Sequence, residues 1–204
     1  MQQNTNRISP TKVDVEKAYK TVKQHAHKTP VLTSRLVNQT LGCEVFFKCE
    51  NFQRVGAFKF RGASNAVFSL SEEDAAKGVC THSSGNHAAA LALAAAIRGI
   101  PSYIVMPANA PAVKRRAVED YGANITTCEP TQADRERGLE EIKLQTGATF
   151  IHPYDNFNVI CGQGTAALEL LEEIPNLDIV VAPVGGGGLF SGTLTYTKGF
   201  NPNI

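Results

Sequence analysis

The sequence predicts an α/β protein built on open, mostly parallel sheets flanked by helices. Two observations carry that expectation. Short apolar runs alternate with helical stretches of about 10–15 residues, the pattern of α/β units on a parallel sheet. Three loops of unusual composition also follow apolar runs, and open parallel sheets bind ligands outside the carboxyl ends of their strands.

Thr11 followed by Asp14 reads as a capping box. It opens a helix with Val15, Ala18, Tyr19, Val22 and Ala26 on one face, stopped by Lys28-Thr29-Pro30. Residues 44–49 (EVFFKC) suit a strand, and after a turn at Gly56 a helix runs from Phe58 to Leu70. From there the alternation is regular. A strand at 78–81 leads to an alanine-rich helix at 86–97, and a strand at 102–106 to a helix at 111–121 ended by Gly122. A strand at 124–128 leads to a polar helix at 132–146, and a short strand at 149–151 to a helix from Val159 to Ile174. A last strand, Ile179 to Ala182, enters Gly185-Gly186-Gly187-Gly188 and a final helix.

The chain has 204 residues, 43% hydrophobic and 19% charged, enough for one or two soluble domains with a substantial core. Lys and Arg number 20 against 19 Asp and Glu, so nothing electrostatic points to nucleic acid or an anionic membrane, and a small molecule is the expected partner. No apolar run reaches the roughly 18 residues of a spanning helix, and the first ten residues lack the apolar core of a secretory signal. The five cysteines (Cys43, Cys49, Cys80, Cys128 and Cys161) are odd in number and widely spaced, which reads as a reducing cytoplasm and neither disulfides nor a zinc site.

Each of the three loops has a chemical and a plain reading. In the glycine run, four residues without Cβ let backbone N–H groups converge on an anion, with a helix start behind them, and phosphate is the natural guest. The plain reading is a flexible turn. The run matches neither Walker A nor G-x-G-x-x-G, since Phe190 takes the last glycine position. Ser83-Ser84-Gly85-Asn86-His87 offers hydroxyls, an amide and helix-start N–H groups to a carboxylate, or is an ordinary N-cap. Lys59 stands between Phe58 and Phe60, apolar neighbours that favour a neutral, imine-forming amine, or it is a solvated lysine at a helix start. Together, an amine, a phosphate loop and a carboxylate loop fit pyridoxal phosphate and an amino-acid substrate.

At these residues the chain resembles the serine racemase and threonine/serine dehydratase family, fold-type II pyridoxal-phosphate enzymes of the tryptophan synthase beta-like superfamily. The matching stretches are Thr29–Ser34 (TPVLTS), Phe47–Gln53 (FKCENFQ), Gly56–Ala63 (GAFKFRGA), Thr81–His87 (THSSGNH), Cys161–Thr165 (CGQGT) and Pro183–Leu189 (PVGGGGL). The resemblance covers nearly the whole chain. It implies that Lys59 is the Schiff-base lysine, with Phe58 against the pyridine ring and Asn86 bonded to the ring hydroxyl. Gly185, Gly186, Gly187, Gly188 and the backbone of Leu189 would cradle the phosphate. Ser83, Ser84, Gly85, Asn86 and His87 would take the substrate carboxylate.

The implied reactions are racemisation of serine to D-serine and elimination from L-serine or L-threonine, giving pyruvate or 2-oxobutyrate plus ammonia. Lys59 would serve one face of the substrate and Ser84 the other; Ser84 matches the racemase serine where many dehydratases carry alanine. Residues 1–81 and 153–204 would be part of a larger cofactor-binding domain, and 82–152 a smaller mobile one. The family continues well past the glycine helix. Its C-terminal part, absent here, carries the residue facing the pyridine nitrogen and the usual divalent-cation ligands, so no metal ligands are expected in this chain. A homodimer is implied for the full-length protein. Ser34, Arg35, Arg54 and Tyr121 match positions that bind ATP in eukaryotic racemases, while Ala89 replaces their glutamine. Two other readings stand beside these: a β-replacement synthase of the cysteine-synthase type, whose motifs read Ser-Val-Lys and Thr-Ser-Gly-Asn-Thr, and an inactive cofactor-binding fragment.

Overall fold

A computed structural model describes residues 9–204. Helix α1 (Lys12–His25) opens on the expected capping box, with Thr11 Oγ1 accepting from the Asp14 N–H and the Asp14 carboxylate accepting from the Thr11 N–H. Its buried face is Val15, Ala18 and Val22. A short strand β1 (Val31–Thr33) and helix α2 (Arg35–Leu41), neither expected from sequence, precede β2 (Phe46–Lys48). Strands β1 and β2 pair antiparallel, so the lysine loop does not leave a parallel strand; it is reached through two 3-10 turns at Glu50–Phe52 and Arg54–Gly56. Helices α3 (Lys59–Phe68) and α4 (Glu72–Lys77) follow, the latter also unforeseen.

The next stretch is regular. Strands β3 (Val79–His82), β4 (Ser102–Pro107), β5 (Asn124–Cys128) and β6 (Thr149–Phe150) form a parallel sheet in the order β5-β4-β3-β6. Helices α5 (Asn86–Arg98), α6 (Ala112–Asp120) and α7 (Gln132–Thr146) connect them. Side chains alternate across the sheet as the two-residue period requires. Val79, Ile104 and Met106 pack with α5 and α3, whereas Cys80 and Val105 pack with Leu139 and Ile142 of α7. Succession runs from β3 through β4 to β5 on one side, then returns to β6 on the other. This reversal beside β3 is where such a sheet opens a cleft.

Helices α8 (Phe157–Glu173) and α9 (Gly188–Phe200) complete the described fold. Helix α8 lies against α3 and α9 at backbone distance. A Cβ on Gly162 would stand 2.6 Å from the Arg61 carbonyl oxygen, and one on Gly164 2.7 Å from that of Gly192. Through these contacts α8 spaces the lysine helix from the glycine-run helix.

The strand expected at Ile179–Ala182 is corrected: the segment has no sheet assignment. A strand exists only with a ladder partner, and here Ile179 is 75% and Val181 88% exposed, with no described strand alongside. Of the three loops, only 83–87 follows the carboxyl end of a parallel strand. Among the described residues no helix is long and apolar enough to cross a membrane.

Candidate active site

Lys59 opens α3, and its Nζ donates to the Pro153 carbonyl at 2.8 Å, 5.3 Å from the centre of the Phe58 ring. Burial holds its pKa below the ordinary lysine value, which favours the neutral amine that attacks a carbonyl. The approach to Lys59 is held tightly. The Gln53 side chain accepts from the His27 and Arg54 amides, each at 2.9 Å, and donates to the His27 carbonyl at 2.8 Å. That clamp holds Val55 at a left-handed φ of 56°, unusual for a β-branched residue.

Beneath Lys59 lies a buried ionic cluster. Arg61, 0% exposed, donates to both oxygens of Glu50 (2.8 and 2.8 Å) and both of Glu169 (2.9 and 2.7 Å). Lys48 adds a second cation at 2.7 Å from Glu169, and Thr29 Oγ1 donates to Glu50 at 2.6 Å. Two cations face two carboxylates, so the charge closes. Burial alone would lower the Arg61 pKa, and the carboxylates more than reverse that, raising it.

Phe58 and Leu189 line one cavity of about 250 Å³ together with Lys48 and Glu50, which brings the lysine loop to the start of α9. Helix α9 begins after Gly187 at φ 89°, with no side-chain cap on its first N–H groups. Those free donors, at the positive end of a helix, fit a phosphate. Gly185 and Gly187 face open space: a Cβ on either meets nothing within 4 Å. With the desolvated amine, the donor set present fits pyridoxal phosphate.

In the loop after β3, Ser83 Oγ accepts from the Gly85 N–H at 3.3 Å. Helix α5 is entered through Gly85 without a side-chain cap, which leaves its helix-start donors for an anion. Ser84 is half-buried and Asn86 exposed. The His87 side chain turns inward: it is 2% exposed, with Nε2 3.0 Å from the Ile151 carbonyl and Nδ1 buried without a partner. Burial pushes its pKa down to about 4, so the ring is neutral.

Four contributors were missed in the sequence because they come from remote elements. Lys114 of α6 reaches within 3.8 Å of where a Gly85 Cβ would be. A polar cavity of about 500 Å³ is lined by His82, Arg135, Glu136, His152 and Tyr154, among others. Arg135 is one of its lining residues, and its Nε is buried with no hydrogen-bond partner. His152 Nδ1 accepts from the Tyr154 and Asp155 amides at 3.3 and 2.8 Å, which puts the neutral ring's proton on Nε2. Of the nucleotide-effector candidates, Ser34 caps α2 and Arg54 donates to the His25 carbonyl. Tyr121 packs on the core around α5, and Arg35 is exposed.

The family model described as pyridoxal-phosphate dependent enzyme matches residues 22–204. The chain is 51% identical over 191 residues to a serine racemase of Dictyostelium discoideum, covering 94% of this chain and 59% of that protein. It is 53% identical over 184 residues to a beta-hydroxyaspartate dehydratase of Paracoccus denitrificans, covering 90% and 58%. The crystal structure of the Dictyostelium discoideum serine racemase superposes with a TM-score of 0.93 at 50% identity, covering 95% of this chain and 63% of that one. The chain thus spans about three fifths of the length of the curated relatives it matches.

Proposed function

The chain belongs to the family of pyridoxal-phosphate-dependent enzymes, and from that premise we propose that the whole protein is a serine racemase and L-serine/L-threonine dehydratase. The observation that carries this reading is the Lys59 amine, desolvated and held at the Pro153 carbonyl, next to the Tyr154 that packs on the glycine run. When bound, pyridoxal phosphate supplies an aldehyde for an amine and a ring that takes up electron density from a carbon losing its proton.

The chain's own residues do the rest. The uncapped start of α9 takes the phosphate, and Phe58 lies against the ring. The uncapped start of α5, with Lys114 nearby, takes the substrate carboxylate. Lys59, whose burial favours the free amine, removes the Cα proton, and Ser84 serves the opposite face. Residues 82–152 would move as a smaller unit against the larger cofactor unit, with the bound at 82 shifted to the start of β3, because Val79–His82 is a central strand of the four-stranded sheet. The protein works as a cytoplasmic homodimer, with free cysteines. The exposed Arg35 leaves room for a nucleotide near α2.

One observation favours a second substrate class, the β-hydroxyaspartates. Arg135 lines the polar cavity, and its buried Nε has no hydrogen-bond partner. A guanidinium in that setting suits a second carboxylate, and neither serine nor threonine carries one. The decisive experiment for the cofactor site is borohydride reduction of the whole protein with bound cofactor, followed by peptide mapping. The pyridoxyl group is expected on Lys59; its appearance on another lysine would overturn the assignment.

A further inference from the structure

The four glycines are not equivalent. Gly185 and Gly187 face open space, whereas Gly186 and Gly188 face one residue, Tyr154. A Cβ on Gly186 would stand 2.6 Å from Tyr154 Cε1 and closer still to Cδ1 and Cγ. A Cβ on Gly188 would stand 2.9 Å from both the Cα and the carbonyl oxygen of Tyr154. Contacts that short do not occur between real carbon atoms, so two of the four glycines are required by an aromatic residue of the protein itself.

Tyr154 is also tied to the amine. Its neighbour Pro153 accepts the Lys59 Nζ hydrogen bond at 2.8 Å. On its other side the ring meets His152 edge-on at 4.5 Å between centroids, and His152 in turn accepts from the Tyr154 amide. One short turn therefore touches the amine, the glycine run and the polar cavity.

We propose that Tyr154 is a positioning residue for the cofactor. Its ring and backbone form the packed side of the glycine cup and set that cup's distance from Lys59, leaving the open faces of Gly185 and Gly187 to the phosphate. This rests on the reading that Lys59 and the glycine run hold pyridoxal phosphate. The ring, not the hydroxyl, carries the role, because the contacts to Gly186 are to ring carbons.

The test is titration of the whole apoprotein with pyridoxal phosphate and, separately, with pyridoxal, followed by absorbance. Melting of each apoprotein is measured alongside. Tyr154→Phe should bind as the wild type does. Tyr154→Ala should weaken pyridoxal phosphate by about tenfold or more, since a misplaced group costs up to about a hundredfold. It should also narrow the affinity gap between pyridoxal phosphate and pyridoxal, because the loss falls on the phosphate. A purely structural role would lower the melting temperature and leave that gap alone. Tyr154→Leu, which keeps apolar volume without a planar ring, should behave like Tyr154→Ala and guards against an alanine variant that does not fold.

Gly186→Ala should also lose affinity, and combining it with Tyr154→Ala should restore part of it, because the added methyl then occupies vacated space. Contacting residues couple enough to change affinity by roughly 2- to 100-fold. If the gap is unchanged in Tyr154→Ala and Tyr154→Leu, and Gly186→Ala costs the same with or without Tyr154, the positioning role is wrong while the cofactor site stands. A wild-type apoprotein that takes up no pyridoxal phosphate overturns the site reading, and the role of Tyr154 with it.

Discussion

Arg61 and Arg135 both carry guanidinium nitrogens below the surface, and the fold treats them in opposite ways. Arg61 meets Glu50 and Glu169 in paired hydrogen bonds that use four of its five N–H groups, and Thr165 takes the fifth. Arg135 lines a polar cavity and keeps its buried Nε without a partner. A buried donor left unsatisfied costs about 1–3 kcal/mol, so a fold keeps one only where something compensates. The paired arginine is built as scaffold; the unpaired one is the arginine for which we propose a ligand group. His87 lies between these extremes, with one nitrogen at the Ile151 carbonyl and the other without a partner.

The largest effect expected from this contrast is at Arg61. Arg61→Met would leave Glu50 and Glu169 buried with Lys48 as their one remaining cation. Breaking a buried pair by removing one partner costs about 3–5 kcal/mol. Urea unfolding should show a loss of that size, with Arg61→Lys recovering part of it. A loss below about 1 kcal/mol, the range of surface ion pairs, would mean that the cluster is not scaffold and would break the comparison.

A smaller effect, and one that depends on pH, is expected at His87. Burial holds its folded pKa at about 4, against about 6.5 in an unfolded chain. Where Lys59, His152 and His82 are protonated their charges push in the same direction, and the hydrogen bond to Ile151 opposes them. Between those two values the unfolded chain binds a proton that the folded chain does not. Stability is therefore fully present above about pH 6.5 and falls as the pH drops towards 4, by about 3 kcal/mol from this group alone. Unfolding measured at pH 7, 6, 5 and 4.5 should show that slope, and His87→Gln should flatten it. An identical slope in the variant would place the acid sensitivity on the carboxylates.

Much of this was legible in the sequence, and the gaps have physical reasons. The Thr11–Asp14 capping box and the 132–146 helix are local features, and both are present. Three-residue strands such as Val31–Thr33 show no periodicity to read. The apolar run at Ile179–Ala182 looked like a strand because hydrophobicity reports burial tendency and says nothing of a pairing partner. Lys59, Ser83–His87 and the glycines could be singled out because each motif is contiguous. Arg135, His152 and Tyr154 could not, since they come from α7 and from the turn after β6. They meet only because the strand order reverses beside β3. The inward turn of the His87 ring was not legible for a related reason: a helix start exposes one side chain and buries the next, and the motif does not say which.

The smallest expected effect is the most selective. If Arg135 waits for a substrate carboxylate, Arg135→Gln removes a charge-assisted hydrogen bond that forms only with a β-carboxylate present. Such a bond is worth about 1.5–3 kcal/mol. That corresponds to roughly 10- to 150-fold in kcat/KM. The loss should appear with a β-hydroxyaspartate and be absent with L-serine, which places only a hydroxymethyl group near the cavity. Stability should hold or rise, by at most about 1–3 kcal/mol, because the replaced Nε had no partner to lose. Arg135→Lys should recover the charge without the planar fork, so part of the β-hydroxyaspartate activity should return. Equal losses on both substrates would make Arg135 a general support of the cleft. A large fall in stability would show that its nitrogens are engaged as those of Arg61 are, and the contrast between the two arginines would then describe geometry without assigning function.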